Sequence, residues 1–221
     1  MGRVLFRAFG WVTGAPLASF RFLRRQRPIE ELDHGPGEHP KGLPRDDPDP
    51  DHREEEHGLG RLTHRLFRAD VEKPKLPARR LIDVVAADPN VISPFEVVRF
   101  EKTRGERGDL REGDGILIRM AGPWDGPVQV TKRWGEGFRL AATEGHAQLG
   151  QVELRAHERD GHLRVEIQTR ERSASGIFHL LRRTGLIRRM QTHTWAHMLE
   201  AAAQLAGGRP PSKIAVETWH D

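Results

Sequence analysis

FRLAAT (residues 138–143), QVELRAH (151–157) and LRVEIQTR (163–170), followed by GIFHLLRRTGLIRRMQTHTWAHMLEAAAQL (176–205), decide the fold of this chain. Leu163, Val165 and Ile167 alternate with Arg164, Glu166 and Gln168, the period of a half-buried strand. In the last run Ile177, Leu181, Thr184, Ile187, Met190, Thr194, Met198, Ala201 and Leu205 recur at steps of three and four, which predicts an amphipathic helix. Thirty helical residues would reach about 45 Å, well past a strand of eight residues at about 27 Å. Thr184-Gly185 is the natural break, so the spacing predicts a short helix over 174–183 and a long one over 186–205, closed by Gly207-Gly208. A sheet with one apolar face and a helix able to lie along it form a two-layer body.

Working back from this stretch, residues 59–71 read as a strand of mixed alternation, and Pro77 opens a helix whose buried stripe is Leu81, Ile82, Val85 and Ala86. Asp88-Pro89-Asn90 ends it. Strands are expected over 95–102, 115–121 and 128–134, with a charged hairpin connection over 103–114 and tight turns at Gly122-Pro123-Trp124-Asp125-Gly126 and Gly135-Glu136-Gly137. The order is strand, helix, six strands, long helix, and short connections between successive strands require antiparallel pairing.

Hydrophobic residues make up 36% of the chain and charged residues 31%, so part of the 221 residues is expected outside the core. Absence of cysteine excludes disulfides, thiolate catalysis and cysteine-ligated zinc, and fits a cytoplasmic setting. No apolar run approaches the roughly 20 residues that span a bilayer. Charge is divided sharply. Residues 1–29 carry six arginines and no acid, whereas 30–57 carry eleven acids against three bases. The first segment reads as basic amphipathic helix, with Phe6, Phe9, Trp11, Phe20, Arg24 and Arg25 as candidates for docking on the body or on the anionic inner face of a membrane. The second, centred on Asp46-Asp47-Pro48-Asp49-Pro50-Asp51, reads as an acidic Pro/Gly linker able to fold back on arginines. The folded domain is expected over 58–208, with 209–221 as a loose tail.

Thr143-Glu144-Gly145-His146-Ala147-Gln148-Leu149-Gly150-Gln151-Val152-Glu153-Leu154, together with Arg172-Ser173-Ala174 and Arg188-Arg189-Met190-Gln191, resembles an uncharacterised bacterial and plant family of the START-like, or helix-grip (SRPBCC), superfamily. Its members carry a Thr-x-x-Gly-His-Pro-Glu-x-Gly-Glu-like stretch, a Ser-Arg-Pro-Ala-like lead-in to the last helix and Arg-Arg-x-Gln within it. Here Ala147 replaces the proline, Gln148 and Gln151 replace acids, and the proline expected after Arg172 is absent. The resemblance implies an α+β helix-grip fold, a curved antiparallel sheet of about seven strands gripping the C-terminal helix, and a cavity between them.

The implied ligand is small and apolar (a lipid, an aromatic or a polyketide-like molecule) and is bound without chemistry. Candidate lining residues are Ile118, Val130, Phe138, Leu140, Ala142, Val165 and Ile167 from the sheet and Gln191, Thr194 and Met198 from the helix. The competing readings are an interaction protein whose core these side chains fill, and a cyclase- or hydrolase-like enzyme. Gly145, His146 and Gly150 mark the motif turn, where His146 serves the turn or acts as a base. His193 and His197 share a helical flank at the spacing of two metal ligands, but no third ligand accompanies them. No cofactor or metal is expected, and the arginines of 172–189 lack the aromatic interleaving of a nucleic-acid surface.

Overall fold

The computed structural model describes residues 28–35, 58–120, 125–174, 185–209 and 211–220. Strands β1 (Ile29–Asp33) and β2 (Leu59–Glu72) lead into helix α1 (Ala78–Ala87) and a 3-10 turn (Pro89–Val91). Six strands follow: β3 (Val98–Arg104), β4 (Gly115–Met120), β5 (Gly126–Trp134), β6 (Gly137–Ala142), β7 (Gln148–Arg159) and β8 (His162–Ser173). Helix α2 (Leu186–Leu205) and strand β9 (Ile214–His220) come last among the described residues.

The nine strands form one sheet in the order β1-β9-β2-β8-β7-β6-β5-β4-β3. From β2 to β3 every neighbour is antiparallel. That seven-stranded portion, with α1 after its first strand and α2 after its last, is the helix-grip arrangement. Alternation puts Phe67, Ala69 and Val71, Leu163, Val165 and Ile167, Leu154 and Ala156, Phe138 and Leu140, and Val128 and Val130 on one face, all in a single apolar cluster with α1 and α2. Helix α1 packs on β6 and β7, and α2 on β2 and β8.

Two expectations are corrected at the termini. Residues 209–221 hold not a loose tail but β9, a strand inside the sheet, antiparallel to β2 and parallel to β1. Ile214 and Val216 are 1% exposed and Trp219 7%, so this strand contributes core rather than covering it. The acidic segment is likewise not all linker. Its first residues form β1, and their charges are met by Arg188 on Glu31 and Asp33 and by Lys213 on Glu30. His34 stacks on Trp219 at 4.5 Å and hydrogen-bonds Glu217 at 2.9 Å. Among the described residues the sheet therefore has nine strands and one parallel pair. Nearly the whole domain separates β1 from β9 in sequence, so no short connection forces them antiparallel.

The third strand also starts later than expected. The amides of Val97 and Val98 both donate to the Pro94 carbonyl, a turn that leaves Phe95 exposed under the Arg99 guanidinium, 3.9 Å from its ring centre. Gly185, at φ +75°, caps α2 at the expected break. Residues 175–183 of the expected short helix and residues 1–27 of the basic segment 1–29 lie outside the described residues.

The face of α2 that meets the sheet is not centred on the predicted stripe of Met190, Thr194, Met198, Ala201 and Leu205. Thr192 accepts from Arg65 of β2, and Ala196, Leu199 and Ala203, all 0% exposed, follow Thr192 at helical spacing. Small alanines let the helix approach the strands closely. At 100° per residue Thr194 lies about 160° around the helix from Thr192, and Met198 about 120°. Both are buried, but on other sides of the helix.

Candidate functional site

Beside this seam, between β2, β8, the first two turns of α2 and the end of β9, lies a cleft of about 300 Å³. Its wall is formed by Leu59, Gly60, Arg61, Thr63, Arg65, Glu171, Ser173, Arg188, Gln191 and His220. Strand pairing explains why it exists. Leu59 is paired with Ser173 and Thr63 with Glu171, so β2 spends two more residues than β8 on the same interval. Gly60, at φ +84°, supplies the left-handed backbone that this bulge requires. On the opposite side of β8, Gly150 at φ +121° brings β7 so near that a Cβ there would sit 2.0 Å from the Arg170 carbonyl oxygen.

Arg65 forms the floor. It occupies an inward position of β2, where alternation would otherwise place an apolar side chain, and is 2% exposed. Its Nη2 donates to Thr192 Oγ1 at 2.6 Å and its Nε to Thr218 Oγ1 at 3.4 Å, while its guanidinium lies 4.7 Å from the Phe67 ring centre. Burial pushes its pKa down to about 10, with Glu171 opposing that shift and Arg188 adding to it. Arg65 is therefore charged at neutral pH. Its Nη1 is buried and has no hydrogen-bond partner, and the same holds for Ser173 Oγ on a residue 1% exposed.

The motif turn reaches this cleft through a chain of hydrogen bonds. The Gln148 amide donates to His146 Nδ1 at 2.9 Å, and Gln191 Nε2 donates to Gln148 Oε1 at 2.9 Å and to Glu171 Oε2 at 3.1 Å. His146 thus holds the turn. Its accepting Nδ1 leaves the proton of the neutral ring on Nε2, and burial pushes its pKa down to about 4 even though the residue keeps some solvent contact. The ring packs where Gly126 has no side chain, for a Cβ at that position would meet Nε2 at 2.8 Å. Gly145 makes the turn at φ +90°.

Of the ten expected lining residues only Gln191 borders this cleft. Ile118, Val130, Phe138, Leu140, Val165, Ile167 and Met198 come together in the apolar cluster, and Ala142 and Thr194 are buried. Val130, Val165 and Ile167 are at most 1% exposed and packed within that cluster. Phe6, Phe9, Trp11, Phe20, Arg24 and Arg25 lie outside the described residues. Among the described residues no three potential ligands group around a metal position, which leaves His193 and His197 as a pair, and no helix is long and apolar enough to cross a membrane.

Periodicity did not reveal Arg65 and Glu171 of the cleft wall, nor Thr192, which holds Arg65 in place. The only trace of Arg65 was the mixed alternation of its strand. Ser173, Arg188 and Gln191 each belong to a short stretch that carries the family resemblance, and Gln148, beside them, belongs to a third. The fold brings those stretches together.

No family model and no curated protein sequence matches the chain. Among solved structures it is similar to the KanY protein, 13% identical with a TM-score of 0.47, covering 68% of this chain and 100% of that one. It is also similar to a protein from Arthrobacter aurescens, 11% identical with a TM-score of 0.44, covering 65% and 86%. A third is major latex-like protein 151 of Panax ginseng, 12% identical with a TM-score of 0.40, covering 60% and 97%.

Proposed function

We propose that this protein binds a small, largely apolar molecule between its sheet and its C-terminal helix, without carrying out chemistry on it. The observation that supports this is the cleft of about 300 Å³ at the junction of β2, β8 and α2, at the small end of the range for ligand pockets. Its floor lies on the same face of β2 and β8 as Phe67 and Ile167, so an apolar body entering there meets the apolar side of the sheet. Organic extraction of the protein purified from its host, followed by mass spectrometry, tests the reading. A stoichiometric co-purified molecule is expected, and repeated empty extracts reject it.

The second reading is an interaction protein with a solid interior. The closed packing of Val130, Val165 and Ile167 favours it at that end of the sheet. Pressurised xenon, followed by NMR shifts of the methyl groups, separates the two. Uptake beside these residues argues for a cavity, and silence argues for a filled core.

A further inference from the structure

We propose that the cleft recognises the carboxylate of its ligand, and that Arg65 Nη1 and Ser173 Oγ are the groups that receive it. This rests on the small-ligand reading and names the chemistry of the ligand's polar end. The first observation is a pair of donors that the protein leaves unused. Arg65 spends Nε and Nη2 on Thr218 and Thr192, and its Nη1 has no acceptor. Ser173 Oγ, on the neighbouring strand, also has none. Both residues are at least 98% buried and both line the same cleft. Buried donors are nearly always paired, and an unpaired guanidinium edge is among the costlier exceptions.

The second observation is charge. Arg61, Arg65 and Arg188 stand in the cleft wall against one carboxylate, Glu171, which accepts from Gln191 at 3.1 Å. Arg188 is engaged by Asp33 at 2.9 Å and Glu31 at 3.3 Å from outside the cleft wall. Arg65 hydrogen-bonds no carboxylate; Glu171, Glu31 and Asp33 act on it only through space. The wall therefore carries more positive than negative charge, and Arg65 sets its share at the floor.

The third observation is size. One guanidinium edge and one hydroxyl match the two oxygens of a carboxylate, whereas a phosphate dianion would call for more donors. A cleft of about 300 Å³ far exceeds a carboxylate alone and leaves room for an apolar body of roughly ten heavy atoms.

Calorimetric titration of the full chain tests the assignment. The probes are octanoate and 2-naphthoate, each beside its neutral alcohol (1-octanol and 2-naphthalenemethanol), with inorganic phosphate as a fifth. At least one acid is expected to bind about tenfold or more tightly than its alcohol, with phosphate silent. Arg65→Gln should abolish that preference, and Ser173→Ala, which breaks no hydrogen bond within the protein, should reduce it about threefold. Equal binding of acid and alcohol overturns the carboxylate proposal and leaves the small-ligand reading standing. Phosphate binding as tightly as the acids also overturns it, by assigning the donors to a free oxyanion. Silence from all five probes overturns it too, while organic extraction decides the small-ligand reading independently. If Arg65→Gln does not fold, Ser173→Ala decides, and an unchanged acid-over-alcohol ratio in that variant overturns the proposal.

Discussion

Gly150→Ala measures how closely two strands approach beneath the cleft. The residue sits in β7 opposite Glu171 of β8 with φ +121°. An added Cβ would lie 2.0 Å from the Arg170 carbonyl oxygen, 2.9 Å from its carbon and 3.1 Å from the Glu171 Cα. All three atoms are backbone, so no change of rotamer relieves the contact. Strained backbone at positive φ costs about 1–3 kcal/mol. Moving β7 away from β8 forfeits one or two ladder hydrogen bonds at about 1 kcal/mol each. The expected destabilisation is about 2–5 kcal/mol, a large share of the 5–15 kcal/mol typical of a whole domain. Gly161→Ala is the control, because its φ is +76° but nothing lies within 4 Å of an added Cβ. That variant should lose only the conformational part, about 1 kcal/mol. Urea unfolding followed by tryptophan fluorescence gives both numbers from one protocol. If Gly150→Ala costs no more than Gly161→Ala, the close approach of the strands is refuted, and with it the account of how the cleft wall is shaped.

Four further outcomes are expected. His146, with a folded pKa of about 4 against an ordinary 6.5, takes up protons less readily folded than unfolded, so stability should fall as the pH drops from about 6.5 towards 4. The loss is about 2–3 kcal/mol, and His146→Gln should flatten that part of a urea-midpoint profile. Arg139 and Glu153 form a buried pair at 2.9 Å, so Arg139→Met should cost about 3 kcal/mol by stranding Glu153, with Arg155 at 3.6 Å softening the effect. The double variant Arg139→Met/Glu153→Leu should recover most of that loss in the same assay. Deleting residues 209–221 removes Ile214, Val216 and Trp219, together about 6 kcal/mol of burial, and should leave an aggregating chain on size-exclusion chromatography, whereas a monodisperse, folded product would contradict the structural role of β9. If the basic segment docks on a membrane rather than on the body, the full chain should float with phosphatidylserine vesicles and a chain lacking residues 1–27 should not; equal flotation of the two rejects membrane docking by this segment.

Elements whose signal is carried by their own residues were legible in the sequence. Strand periodicity placed β6, β7 and β8 within a few residues, and Gly185 with Gly207-Gly208 bracketed α2 at Leu186–Leu205, because caps and alternation act within one or two turns of chain. Which side of α2 meets the sheet was not legible. The periodic stripe ran through Met190, Thr194, Met198, Ala201 and Leu205, but packing on β2 selected the side of Thr192, Ala196, Leu199 and Ala203.

By itself, then, the sequence determined the order strand, helix, six strands, helix, the turn glycines and the division between basic and acidic arms. Only the tertiary structure decided that Ile214–His220 enters the sheet and recruits Ile29–Asp33, since those partners lie 185 positions apart and sequence-local forces do not couple them. The cleft is of the same kind. Arg65, Ser173 and Gln191 are scattered over 127 residues, and it is the register of β2 on β8, together with one helix lying across both, that sets them around a common space.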